Sequence, residues 1–445
     1  MEGFFNPVLF LKKENSAAAA KPEIVSKRLI FSFALLTLLI IARAFSSVFC
    51  YVILAVGGLM LLFFSLEECF SVLVFLLPFS MVLKLNEDAM SFFTFLFFGL
   101  FLRIILFHNR FDVVSFLAFT LFGGYSLVFS GFGKLTTIIT LLAALILMKQ
   151  IDACSIRAQT VVVSFSLGLS VSSTVALFRD HLPMINRFLM TAMLKIGEEE
   201  YADRFAGLEG NPNYYTVGVI FAIACLAVII LNEKPRVYLY ILVGLLTIFG
   251  MMSVSKSFLL SYAVLMVLWF IFTTKKGGAS NAFKFLLTVA ALVGVVYLFA
   301  SDSVQLFLFR FAKDSEGSLN SITTGRTGIW QTYLDEIFHS KRILLFGKGL
   351  NSIGSVGRGT HNTYFEALYS LGICGSAVLV FAFKKAIEGV PKRSLLLMPA
   401  AVLLLRMFGI GILTYDNFWI YLIMLKLLGL SLKKSSAPRE KEINV

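Results

Sequence analysis

Apolar runs of bilayer-spanning length follow one another along almost the whole of this 445-residue chain, and they constrain its fold more than any other feature. A helix needs about 20 consecutive apolar residues to cross a bilayer, with a range of roughly 17–25. About fourteen runs qualify, near residues 29–46, 48–64, 69–84, 91–107, 111–129, 134–149, 158–178, 213–231, 236–252, 256–273, 283–300, 362–383, 394–412 and 415–431. Several are short, so 12–14 transmembrane helices are expected. Hydrophobic residues make up 58% of the chain and charged residues 15%, whereas soluble domains carry about 25% charged residues. So little polar surface cannot enclose a soluble core. The expected fold class is an all-α polytopic membrane protein, because a helix satisfies its own backbone in lipid.

The charge pattern orients these runs. With a cytoplasmic N-terminus, 22 Lys and Arg residues fall in inside segments, from Lys12 and Arg28 to Lys434 and Lys441. The short outside loops hold only Lys84, Lys134 and Lys256. This is a positive-inside distribution, and an even number of spans with both termini inside satisfies it. The net charge of +13 is thus explained by topology and by anionic membrane lipids, not by nucleic acid. The expected organisation is a cytoplasmic tail over 1–28, one transmembrane domain over 29–431 and a cytoplasmic tail over 432–445. The first apolar run reads as a span and not as a cleaved signal peptide.

Two long polar segments, about 179–213 and 301–360, both fall outside in this layout. Long loops without function are uncommon, and these contain His, Trp and Gly instead of low-complexity sequence. Both are expected to fold as extracytoplasmic caps. The second ends in Gly357-Arg358-Gly359-Thr360-His361-Asn362, immediately before an apolar run. A neutral His at such a boundary can accept a proton from a sugar hydroxyl. It can equally be an interfacial residue beside a helix cap, with Thr360 as the capping side chain. The same loop carries Thr324-Gly325-Arg326-Thr327-Gly328-Ile329-Trp330 and Phe346-Gly347-Lys348-Gly349. Arginine forks match phosphate oxygens, and glycines let a backbone approach such a group closely. The first loop holds Arg204-Phe205-Ala206-Gly207 and then Asn211-Pro212-Asn213. Arg204 has Asp203 and Glu209 as alternative local partners. Lys256 points into the bundle toward an anion or snorkels at the interface. Arg43 and Arg406 lie in or near spans, where a charge implies a cavity or a partner.

The five cysteines show no CxxC or Cys/His metal spacing, which argues against disulfides and a structural metal. There is no P-loop, Rossmann fingerprint, HExxH or GxSxG. Cations with one His and no carboxylate pair suit a diphosphate leaving group and a base for a hydroxyl.

His361-Asn362, followed after nine residues by Gly372 and then Gly375, resembles the His-Asn…Gly-x-x-Gly signature of the O-antigen ligase and polymerase superfamily. Arg326 in its Gly-Arg-Thr-Gly-Ile-Trp stretch, the Phe-Gly-Lys-Gly at 346–349, and Arg204-x-x-Gly207 before Asn213 are similar to that family's outside loops. The resemblance covers roughly residues 200–380. It implies a membrane-embedded, type-C-like glycosyltransferase of the bacterial plasma membrane, with its site on the outer face. The donor would be a glycan on undecaprenyl diphosphate, transferred with inversion and without metal or other cofactor. His361 would act as the base or acceptor-positioning group. Arg204 and Arg326, with Lys256, would hold the diphosphate, and Gly207, Asn213, Gly325, Asn362, Gly372 and Gly375 would support the motifs. Where the family often has Arg after the span ending near 252, this chain has Lys256, which keeps the charge but cannot grip bidentately. A polymerase of O-antigen or capsule repeat units is the first reading, working beside a flippase and a chain-length regulator. A ligase moving polymer to lipid A core or a cell-wall acceptor is the second. A flippase of lipid-linked oligosaccharide is a third, against which stand the lack of repeats and the motifs clustered in loops.

Overall fold

The computed structural model describes residues 25–435, apart from 87–88, 109–111, 188, 190–191, 196–200, 234–235, 316–324 and 392. Most of the two expected tails, together with Thr324, lies outside the described residues. Helices make up nearly all the described secondary structure. Among the described residues, six helices are long and apolar enough to cross a membrane: Val113–Ser130, Phe132–Gln150, Ala158–Leu177, Pro212–Asn232, Lys256–Arg310 and Thr363–Ala386. Four shorter apolar helices accompany them, Val48–Phe63, Phe92–Phe107, Val237–Met252 and Ser394–Gly409. The outer faces are apolar: Phe31, Leu62, Leu106 and Val128 are 70–76% exposed. Such a surface suits lipid and not water.

Pro212–Asn232 is the centre of the bundle. Asn211 caps it by accepting from the Asn213 amide, and Pro212 occupies its first turn, where a missing N–H costs nothing. Of its apolar window 94% is buried, against the helices Ala158–Leu177, Val237–Met252, Leu397–Gly409 and Asp416–Ser435. A helix apolar all round is a buried one.

Several expected boundaries move. The runs 256–273 and 283–300 lie in one element, Lys256–Ser315, with non-helical dihedrals at Gly277, Gly278 and Ala300. Gly278 has φ +62°, a conformation glycine adopts at no steric cost, so the break falls where a turn between two spans was expected. The same element carries helix on to Ser315, so residues 301–315, expected as loop, are helical. The run 69–84 is helical only over Leu66–Leu76, followed by the 3₁₀ turn Leu77–Phe79. Ser65 starts it early through a capping box with Glu68, and Pro78 withholds the amide that would continue it. The first long loop contains a small antiparallel hairpin, Ala192–Lys195 with Tyr201–Arg204, pairing Ala192 with Arg204. The expected all-α class therefore carries one short two-stranded exception.

Candidate functional site

The turn after Val237–Met252 collects arginines. Val254 there has φ +48°, a strained value for a β-branched residue that is common at functional sites. The turn turns two carbonyls outward. Ser253 O accepts from Arg204 Nε at 3.1 Å, and Val254 O accepts from Arg310 Nη1 at 2.6 Å. Ser255 donates its hydroxyl to Asn213 Oδ1 at 3.1 Å, which joins the turn to the entrance of the central helix. Lys256 is the first residue of the next helix. Arg406, fully buried, donates to Asn213 O at 2.5 Å and Thr216 Oγ1 at 2.8 Å, and also to the Ser257 hydroxyl.

Arg326 is the hub of this group. It lies within electrostatic reach of Arg204, Lys256, Arg310, His361 and Arg406. A Cβ on Gly409 would sit 3.4 Å from Arg326 Nη1, so the bare glycine lets the guanidinium come close. Gly325, with φ +80°, precedes Arg326 at the start of the helix Arg326–His339. Arg204 does not use its local acids. Asp203 bonds Arg179 at 2.5 Å, and Glu209 accepts from Tyr415 and Asn417, each at 2.9 Å. The Nη2 of Arg204 is buried without a hydrogen-bond partner. Burial first, then Arg310 and Arg326, lower its pKa to about 9.

Carboxylates pair with cations near both ends of the helices but, among the described residues, not with the arginines of this cluster. At the ends away from His361, cations are matched: Arg157 with Glu67 at 2.8 Å, Lys149 with Glu388 at 2.8 Å, and Lys426 with Asp152 at 2.8 Å. Among the described residues, no carboxylate pairs with Arg204, Arg310, Arg326 or Arg406. Partly buried guanidinium groups without counter-ions are costly, and an anion supplies what they lack. No three His, Cys, Asp or Glu side chains gather as metal ligands among the described residues.

His361 stands exposed at the mouth of this cluster with φ +48°. Asn362, and not Thr360, caps the following helix, accepting from the Tyr364 and Phe365 amides at 2.9 and 3.2 Å. Thr360 instead donates its hydroxyl to Asn362 O at 2.8 Å. Trp330 Nε1 donates to Thr360 O at 2.9 Å, and its ring meets Phe365 edge-on. Tyr333 donates to Arg358 O at 2.7 Å. The His361 segment is thus held from the helix that Arg326 begins. Desolvation, then Arg326 and Arg358, lower the His361 pKa below its ordinary value.

The glycine motifs serve packing. Gly372, φ +64°, breaks the helix Thr363–Ala386 where a Cβ would meet the Leu345 carbonyl at 2.5 Å. A Cβ on Gly347 would meet Ser370 O at 2.3 Å, and one on Gly375 the Tyr125 ring at 2.2 Å. Phe346-Gly347-Lys348-Gly349 therefore lies on a broken helix: the Lys348 and Gly349 amides each donate at 2.8 Å to the carbonyls of Tyr369 and Ser370. Lys348 Nζ bonds Glu336 and Tyr369. The phosphate-approach reading of these glycines is replaced by this helix contact. Gly207, φ +56°, likewise lies against the Tyr215 ring.

Sequence reading singled out Arg204, Lys256, Arg326 and His361, which the fold brings together. It missed Arg310, whose signal was a lone cation between Phe309 and Phe311 at the end of an apolar stretch. No protein-family model matches the chain, and no curated protein matches it.

Proposed function

We propose that this protein is a polysaccharide polymerase of the bacterial plasma membrane, working on the outer face. It transfers a glycan from undecaprenyl diphosphate to a hydroxyl of another lipid-linked repeat unit. The observation that supports this reading is the group of Arg204, Arg310, Arg326 and Arg406, with which no carboxylate pairs among the described residues, with His361 beside it. The cluster selects a multiply charged anion, and a lipid-linked diphosphate presents one at the membrane surface. Twelve to fourteen spans with both termini in the cytoplasm fit the charge pattern, if shorter apolar helices also cross.

In this reaction His361 takes the proton of the acceptor hydroxyl. The hydroxyl oxygen attacks the anomeric carbon from the face opposite the diphosphate. The bond between that carbon and the diphosphate oxygen breaks, and its electron pair leaves with the diphosphate. Arg204, Arg310 and Arg326, with Lys256, stabilise the charge that develops there. One displacement gives inversion at the anomeric carbon.

The test is a gel of surface polysaccharide from a deletion strain complemented with wild type. Single repeat units in the deletion strain, restored to a ladder by wild type, support the polymerase. Full-length polymer stranded on its lipid carrier supports a ligase, which would use the same donor site. An unchanged ladder in the deletion strain contradicts both.

A further inference from the structure

A cavity of about 300 Å³ lies one loop away from His361, its wall partly apolar and partly formed by Lys84, Thr94, Thr136, Glu209, Asp416 and Asn417. That volume is at the small end of the ~300–1,000 Å³ typical of ligand sites. The loop between Gly409 and Asp416 is the shared wall. On one side, a Cβ on Gly411 would sit 3.5 Å from Thr360 Oγ1, next to His361 in sequence, and 2.8 Å from Glu366 Oε2. Thr414, whose hydroxyl donates to Glu366 Oε1 at 3.2 Å, also lines the cavity on the other side. Tyr415 in turn donates to Glu209.

The cavity walls hold unused hydrogen-bonding groups. Among the described residues, neither the Thr94 and Thr136 hydroxyls nor the Asp416 carboxylate has a hydrogen-bond partner, although all three line the cavity. Glu209 spends one acceptor site of each oxygen on Tyr415 and Asn417. Thr136 and Asp416 are exposed and Thr94 is half-buried, so these groups face water that a ligand can displace. Hydroxyls and carboxylates together match the alternating donors and acceptors of a pyranose ring. Lys84 faces the Glu209 and Asp416 carboxyl groups, so the cavity offers no surplus of positive charge for a phosphate or an acidic sugar.

We propose that this cavity is a subsite for a neutral sugar residue of the glycan, held beside the residue that reacts at His361. The proposal rests on the polymerase reading. The sugar belongs either to the acceptor unit or to the growing chain on the donor, and both offer the same hydroxyl chemistry.

The test uses purified full-length protein with lipid-linked single units and lipid-linked polymer extracted from the deletion strain and from a wild-type strain. Thr136→Trp fills the cavity from an exposed position at the start of a helix. Asp416→Asn keeps the shape and removes the carboxylate, and it carries the test if the bulkier variant does not fold. Each variant is expected to raise one apparent KM by tenfold or more, while pyrophosphate protects it from thermal unfolding as it protects wild type. A rise for the single unit assigns the sugar to the acceptor, and a rise for the polymer assigns it to the donor. Wild-type KM values for both substrates in a folded variant mean that the cavity holds water only, and overturn the proposal. His361→Ala in the same assay keeps the two ideas apart: normal turnover there overturns the polymerase reading itself, and the subsite with it.

Discussion

Trp330 donates its indole N–H to the carbonyl of Thr360 at 2.9 Å. That bond joins the helix beginning at Arg326 to the residue before His361. The cation hub and the exposed histidine are therefore held as one unit, although Arg326 and His361 are 35 positions apart in the chain. The ring contact between Trp330 and Phe365 extends the same unit to the first turn of the following helix.

Arg326→Lys tests whether that hub grips a phosphate through its fork. Lysine keeps the charge but offers a point donor in place of two parallel N–H groups. Losing one charged hydrogen bond, worth about 1.5–3 kcal/mol, lowers turnover by roughly 10- to 100-fold. Unchanged polymer synthesis by purified Arg326→Lys would show that the fork makes no such contact.

Pyrophosphate without divalent metal is expected to raise the thermal midpoint of the purified protein. A ligand at 100 times its Kd adds about 2.7 kcal/mol to stability. Arg310→Met removes one of the converging cations, so the gain should fall sharply in that variant. An equal gain in Arg310→Met would place the anion elsewhere.

The pH dependence follows from His361. A base must be neutral to accept a proton, and the ordinary histidine pKa is about 6.5. Desolvation, then Arg326 and Arg358, lower it here. Polymerisation should thus persist below pH 6.5 and be lost as pH falls through the depressed value. Arg358→Gln removes one of the two neighbouring charges and should move that acid limb upward. An acid limb unmoved in Arg358→Gln would separate His361 from the rate.

Gly372→Ala tests the broken helix. The change forces a left-handed residue, about 1–2 kcal/mol, and drives a Cβ into the Leu345 carbonyl at 2.5 Å. Overpacking adds typically 1–3 kcal/mol, so a total loss of about 3 kcal/mol is expected in detergent melting curves. Gly58→Ala, where nothing lies within 4 Å of the added Cβ, is the control. Equal stability of the two variants would contradict the packing role.

Much of this site was legible in the sequence because its residues sit in short local patterns. His361-Asn362 at the start of an apolar run marks a helix entrance, and Asn362 is the cap. Thr360 carries the same capping chemistry two residues earlier, and only the backbone decides between them. Gly372 was legible as a motif but not as packing, since its neighbours come from Leu345 and Phe346. Arg310 and Arg406 were not assigned to the site because their partners are remote: Val254 for one, Asn213 and Thr216 for the other. The end of the run 69–84 was misread because its hydropathy continues past Pro78 while its hydrogen bonding does not.

The central claim is that His361 moves a proton while the arginines hold the diphosphate. It is tested most directly by the release of undecaprenyl diphosphate from lipid-linked repeat units by purified wild type and His361→Ala. General base catalysis contributes typically 10²–10⁴-fold, so His361→Ala should lose at least about 100-fold in turnover while pyrophosphate still protects it from unfolding. Turnover by His361→Ala within a few-fold of wild type would contradict the account.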